Sequence, residues 1–303
     1  MSTVAAIDCG TNTIRLLVLR RDGAGAVELD RRLEFVRLGQ GVDATGRFAE
    51  DALERTFSAI DDFADRIRSA GAQRVRFVAT SAARDVSNRD VFADGIRSRL
   101  GVAPEVISGD EEASLAFAGA TRGLRGLDQP MLVMDIGGGS TELVLGDHGG
   151  VVFARSLDIG SVRVTERCWH ADPPTADDIA MATLTIDDAL DELALDWDTV
   201  STWVGVAGTC TSLAAIDLGL ATYDRNRVHG AAVSLPRLQA LAERLRTTPL
   251  EQVRTIPSLH PKRADVIGAG ALIADRVSRR LPVAALHVSE SDLLDGIAFG
   301  LLG

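Results

Sequence analysis

A chain of 303 residues is long enough for two packed domains, and its 46% hydrophobic and 25% charged residues make up an ordinary globular protein. A formal net charge of −11 excludes the broad basic face that non-specific nucleic-acid binding needs. No apolar run approaches the ~20 residues of a membrane-spanning helix, so neither nucleic acid nor membrane is an expected partner.

In chain order, strand patterning covers about 3–9, 14–20 and 26–37, a meander with turns at Cys9-Gly10 and Asp22-Gly23. Apolar residues at helical spacing (Leu53, Phe57, Ile60, Phe63, Ile67) predict a helix over 49–70, ending before Gly71. A strand at 74–80, a helix at 88–100 ahead of Gly101, a strand at 104–108 and a helix at 110–120 follow. Gly123, Gly126 and Pro130 then break the pattern. The second half repeats the theme with strands at 131–136, 141–146 and 150–157, helices at 161–168 and 175–192, and a strand at 202–206. Helices at 208–217, 235–246 and 262–280, a strand at 283–288 and a helix at 290–301 complete the chain.

One glycine-rich string occurs twice without a gap: Ile7-Asp8-Cys9-Gly10-Thr11-Asn12-Thr13-Ile14-Arg15 and Met134-Asp135-Ile136-Gly137-Gly138-Gly139-Ser140-Thr141-Glu142. In each, an apolar strand runs into an Asp, turns through Gly and hydroxyl or amide residues, and leads into a second apolar strand. Glycine is expected to supply backbone angles that aim consecutive N–H groups at one anion and to let that anion come close. Asp suits a hard cation or its waters bridging to phosphate. Two plain hairpins with an Asp at the turn would give the same outline, but three successive glycines cost backbone entropy that a plain hairpin need not incur.

Two halves that each open on such a meander predict an α/β fold of two duplicated actin-like (ribonuclease H-like) domains, with the ligand in a central cleft. Residues 1–116 form the N-terminal domain and 117–303 the C-terminal one, with the last helix, 290–303, able to pack back on the first.

Other chemistries are poorly supported. Cys9, Cys168 and Cys210 are odd in number and lack a CxxC spacing, so no disulfide framework or zinc site is expected. The five histidines are scattered. Lys262 is the only lysine and follows Pro261, which excludes a Walker P-loop. Gly268-Ala269-Gly270 lacks the third glycine of a dinucleotide fingerprint, and no GxSxG elbow occurs. The start Met1-Ser2-Thr3-Val4 enters a strand at once, so a cytoplasmic location is expected.

The two signatures, with Ala79-Thr80-Ser81-Ala82-Ala83-Arg84, Ile107-Ser108-Gly109-Asp110-Glu111-Glu112-Ala113, Gly205-Val206-Ala207-Gly208-Thr209 and the stretch from Arg263 to Gly270, resemble the exopolyphosphatase and guanosine pentaphosphate phosphohydrolase family. The resemblance covers essentially the whole chain. It implies Mg²⁺-dependent hydrolysis of the terminal phosphoanhydride of inorganic polyphosphate, releasing orthophosphate. Alternatives are removal of the 5′ γ-phosphate from guanosine pentaphosphate, or a non-catalytic regulator that binds the alarmone. A kinase of the same superfamily would need a base pocket and an acceptor site, and the 107–113 string argues against it. Long relatives append an HD-type metal-dependent domain; no His-Asp dipeptide occurs here, so that domain is expected to be absent. Asp292-Leu293-Leu294-Asp295-Gly296 departs from relatives that carry an Arg before Glu-Gly. Relatives are often dimers, and a homodimer is expected by analogy.

Hydrolysis needs a group that activates water and donors that hold the phosphate oxygens. The resemblance implies that Glu112 is the catalytic carboxylate, and helix geometry gives the same choice. Ser108 and Glu111 have capping-box spacing, which turns Glu111 back on the backbone, while Glu112 lies about 100° further round. Read without chemistry, Asp110, Glu111 and Glu112 are first-turn acids that favour the helix dipole. Asp135 and Glu142 resemble the family's magnesium-linked acids; Glu142 also reads as a solvent-facing strand residue. Gly137, Gly138, Gly139, Ser140 and Thr141 would donate to phosphate, with Asp8, Gly10, Asn12 and Thr13 opposing them. Arg84 is similar to a family arginine at the phosphate site, and Arg263 would line the cleft. Arg15, aligned with Glu142, points either to the cleft or to solvent. Gly205 to Thr209 resembles the segment that meets adenosine in superfamily kinases, or forms a strand-to-helix cap.

Overall fold

The computed structural model describes residues 2–23, 25–80, 86–124 and 126–302. The chain divides into two compact units, Met1–Gly119 with Leu293–Gly303, and Ala120–Asp292.

The first unit is built on β1 (Thr3–Cys9), β2 (Thr13–Asp22), β3 (Gly25–Phe35), β4 (Arg74–Ala79) and β5 (Glu105–Val106), in sheet order β3-β2-β1-β4-β5. The first three strands are antiparallel; β4 runs parallel to β1, and β5 to β4. Central β1 is apolar because both its faces are covered. Ala5, Ile7 and Cys9 pack with α2 (Glu50–Ser69) and α3 (Arg89–Leu100). Val4 and Ala6 alternate to the other face, against α4 (Gly109–Arg122) and α12 (Leu293–Leu302).

That last helix is tied to the first unit by charge as well as by apolar packing. Arg31 Nη2 reaches Asp295 Oδ1 at 2.7 Å near the start of α12, and Arg74 Nη1 donates to the Leu301 carbonyl at 2.6 Å near its end. Arg21 donates to the Leu302 carbonyl. Cations at a helix C-terminus satisfy carbonyls that the helix itself cannot.

The second unit repeats the plan. Strands β6 (Met131–Ile136), β7 (Thr141–Asp147), β8 (Gly150–Leu157), β9 (Thr202–Val206), β10 (Ala232–Ser234) and β11 (Ala285–Val288) take the order β10-β11-β9-β6-β7-β8. With β10 set aside as an added edge strand, this is the order of the first sheet, with the same antiparallel and parallel pairings. The match extends to a β-bulge, which shifts register between Val18 and Leu19 in β2–β3 and between Leu145 and Gly146 in β7–β8. Those positions coincide when the two signatures are aligned, and the fold is that of duplicated actin-like domains. One large core joins Leu132, Met134 and Ile136 of β6 to α5 (Ser161–Cys168), α6 (Ala176–Asp191), α7 (Ala207–Asp217), α9 (Leu235–Thr247) and α11 (Ile267–Ser278).

Single-turn elements escape a periodicity reading: α1 (Val42–Thr45), α8 (Arg225–Val228) and α10 (Leu250–Val253), with the three-residue β10. The helix expected over 262–280 is a 3₁₀ turn at Pro261–Arg263 followed by α11. Among the described residues no helix is long and apolar enough to cross a membrane.

Gly296 lets α12 approach α4, since a Cβ there would stand 2.2 Å from the Leu115 carbonyl oxygen. Gly296→Ala is expected to destabilise the protein by about 1–3 kcal/mol through overpacking, read as a lower melting temperature by circular dichroism.

Candidate active site

Each signature forms the hairpin that joins the first two strands of its unit. Gly10 N–H donates to the Thr13 carbonyl at 2.9 Å, and Gly137 N–H donates to the Ser140 carbonyl at 3.0 Å, so the two turns close in the same way. In the second, the Gly137 and Gly138 carbonyls are taken by the start of α5. Ser161 N–H donates to Gly137 O at 2.9 Å, and Val162 and Arg163 N–H donate to Gly138 O at 2.9 and 3.1 Å. The N–H groups of Gly138, Gly139 and Ser140 find no acceptor among the described residues. Three successive backbone donors with no acceptor among the described residues are groups of the kind from which anion-binding concavities are built.

The glycines achieve this differently from the sequence expectation. None of Gly10, Gly137, Gly138 and Gly139 is among the positive-φ positions. The need for a missing side chain appears instead at Gly160, where a Cβ would meet Gly138 O at 2.3 Å and Gly139 C at 2.5 Å. Thr141 also departs from expectation. It is fully buried and its hydroxyl donates to the Ile159 carbonyl, so its side chain holds the hairpin in place and does not face a ligand.

The acids that precede the turns lie on the sheet faces that alternate away from Ile7 and Met134. Asp8 is 4% exposed and Asp135 8%. Directly opposite Asp8 stands Arg15, whose Nη2 and Nε donate to Asp8 Oδ2 at 2.5 and 2.9 Å. Arg15 is therefore turned to this carboxylate and away from solvent. Directly opposite Asp135 stands Glu142, only 2% exposed, which removes the solvent-facing reading.

Directly opposed residues have Cβ atoms about 4.5–5.5 Å apart, and like charges there repel, by about 3 kcal/mol at an effective dielectric constant near 20. A divalent cation turns that repulsion into attraction. Among the described residues no three or more His, Cys, Asp or Glu side chains are grouped to hold a metal. Two carboxylates suit Mg²⁺, which typically keeps several waters and binds through one or two carboxylates together with substrate phosphates.

Glu112 lies in the first turn of α4 and is 7% exposed. Half of the expected capping box is present, with Glu111 N–H donating to Ser108 Oγ at 3.1 Å. The other half is replaced, because the Glu111 carboxylate accepts from Arg76 Nη2 at 3.0 Å and stays outside. Arg76 on β4 therefore separates the two glutamates into one surface ion pair and one buried carboxylate. Burial pushes the Cys9 thiol up and keeps it protonated, which argues against a nucleophilic role.

Arg263 rests on the start of α7. A Cβ at Gly208 would lie 1.5 Å from Arg263 Nη1, so only glycine admits the guanidinium there. His260 is held below the usual imidazole range first by burial and then by the neighbouring Arg263 and Lys262. Thr209 Oγ1 donates to the Ile136 carbonyl at 3.0 Å and ties α7 to the end of β6; α7 starts after Val206 with no side-chain cap, so the expected strand-to-helix cap at Gly208 and Thr209 is not formed. Around the first hairpin, Asn12 O accepts from Val36 and Arg37 N–H at 3.1 and 2.9 Å. Arg84 lies outside the described residues.

Gly160→Ala is expected to leave the far-ultraviolet circular dichroism unchanged while displacing the second hairpin. A displacement near 1 Å can cost about 100-fold in rate, so phosphate release from inorganic tripolyphosphate should slow by that order.

The chain matches the Ppx/GppA phosphatase family over residues 17–303. It is 46% identical to a protein of Mycobacterium tuberculosis named exopolyphosphatase 2, with 100% of this chain and 99% of that one covered. Among solved structures, an exopolyphosphatase-like protein shares 42% identity at a TM-score of 0.95, covering 100% of this chain and 99% of the other. An Aquifex aeolicus member of the Ppx/GppA family shares 29% at 0.86, covering 99% and 97%. With duplicated hairpins of matching geometry and a match over nearly its whole length, the chain belongs to the Ppx/GppA phosphatase family.

Proposed function

We propose that the protein is an exopolyphosphatase that hydrolyses the terminal phosphoanhydride of inorganic polyphosphate, with Mg²⁺, and releases orthophosphate. The second hairpin carries this reading: three N–H donors with no acceptor among the described residues are flanked by two buried carboxylates, Asp135 and Glu142. That combination suits a phosphate chain together with its cation. The name of the 46%-identical mycobacterial relative agrees with it.

Each unit contributes defined groups. In the second, the N–H groups of Gly138, Gly139 and Ser140 hold phosphate oxygens, Arg263 adds a planar cationic donor set, and Asp135 and Glu142 hold the cation. When bound, the cation neutralises phosphate charge. In the first, Asp8, Gly10, Asn12, Thr13 and Arg84 are assigned to phosphate binding. Glu112 orients a water and takes its proton as the water oxygen bonds to the terminal phosphorus. The bridging P–O bond breaks and its electron pair leaves with the shortened polyphosphate.

Glu112→Gln should fold with an unchanged or raised melting temperature, keep its affinity for polyphosphate and lose about 10²–10⁴-fold in kcat. Near-normal phosphate release by this variant would remove Glu112 from the chemistry. Phosphate release from polyphosphate and from guanosine pentaphosphate is to be compared in parallel, with Mg²⁺ and with chelator. Faster turnover of polyphosphate, abolished by chelator, is expected; turnover of guanosine pentaphosphate alone would replace this substrate assignment.

A further inference from the structure

The strand register places a third residue beside the two carboxylates. Ser156 on β8 is directly opposite Glu142, and its hydroxyl donates to Glu142 Oε1 at 2.7 Å. Asp135, Glu142 and Ser156 thus form one row across β6, β7 and β8. The equivalent row of the first unit, across β1, β2 and β3, is Asp8, Arg15 and Leu33.

The two rows share backbone geometry, down to the bulge, and differ in chemistry. In the first, a carboxylate meets a guanidinium and the third position is apolar. In the second, every member of the row carries oxygen. A glutamate has rotatable bonds that let its carboxylate turn away, whereas a hydroxyl donor on one oxygen settles its orientation. Donors that orient a ligand in this way tune metal affinity without touching the metal.

We propose that Ser156 is a positioning residue, acting through Glu142 to hold the carboxylate in the orientation that binds the cation. This rests on the reading of Asp135 and Glu142 as the cation's ligands. The hydroxyl, not the bulk of the side chain, sets the effect.

The test compares the full-length wild type with Ser156→Ala, Ser156→Thr and Glu142→Gln. Mn²⁺ is titrated into each protein without substrate, followed by water-proton relaxation, and the Mg²⁺ dependence of phosphate release and the melting temperature are recorded alongside. Ser156→Ala is expected to weaken Mn²⁺ binding and raise the half-saturating Mg²⁺ concentration by about 10–100-fold, with kcat at saturating Mg²⁺ near the wild-type value. Ser156→Thr keeps a hydroxyl and suits a strand, so it should restore both. A lower melting temperature with unchanged Mn²⁺ affinity in Ser156→Ala would show a structural role and overturn the proposal. Failure of a folded Ser156→Thr to restore affinity would also overturn it. If Glu142→Gln weakens Mn²⁺ binding and Ser156→Ala does not, the assignment of Ser156 alone falls. If Glu142→Gln has no effect, or the wild type binds no Mn²⁺, the reading of the two acids as ligands falls and takes Ser156 with it.

Discussion

Asp8 and Asp135 close the central strands of the two units, each more than nine-tenths buried, and a carboxylate held that far from water is governed by the charge directly opposite. The duplicated meander fixes which residue that is. Arg15 stands opposite Asp8 and pairs with it at 2.5 Å, a compensated ion pair. Glu142 stands opposite Asp135 and adds a second negative charge. The residue directly opposite the buried Asp therefore separates a compensated ion pair from two like charges side by side, an arrangement whose chemistry favours a divalent cation.

Neither row would serve without the packing that aims the hairpins. In the second unit the start of α5 accepts the hairpin's carbonyls as partners for its own first N–H groups, which helix geometry otherwise leaves unpaired. The hairpin's N–H groups are then turned the other way. This arrangement depends on close approach at few points: Gly160 against Gly138 and Gly139, and Gly270 against Thr209, where a Cβ would stand 2.6 Å from Cγ2. Thr209 in turn holds the end of β6. The glycines that matter for this purpose lie partly outside the signature, which is why the signature alone explains only part of its own geometry.

The strands, the long helices and the duplication were legible in the sequence because they rest on periodicities of two and 3.6 residues and on a gapless repeat. Registers across β7 and β8 were not. Counting back from the turn at Asp147 and Gly150 places Arg155 opposite Glu142; the bulge between Leu145 and Gly146 shifts the partner to Ser156. The choice of Glu112 over Glu111 followed from the helix angle, but the contact that draws Glu111 outward comes from Arg76, 35 residues away in sequence. Local spacing contains no such information. The roles expected of glycine φ angles and of the Thr141 hydroxyl erred for one reason, since both were inferred from the hairpin in isolation while neighbouring segments set its packing.

A chain of net charge −11 that acts on a polyanion has to attract it locally. Screening over a Debye length of about 8 Å confines the surface acids to short range, but acids that line the site are not screened away. Backbone N–H groups answer this well. They carry no net charge, do not titrate and need no counter-ion, so a hairpin can present three of them next to Asp135 and Glu142 without either group cancelling the other. Arg263 adds a guanidinium lodged in the space that Gly208 leaves open. On the proposed reading, phosphate would be met by fixed dipoles, a guanidinium and a cation whose ligands repel one another until it binds. Placing the acids beside the anion site would then make the grip on phosphate depend on the metal.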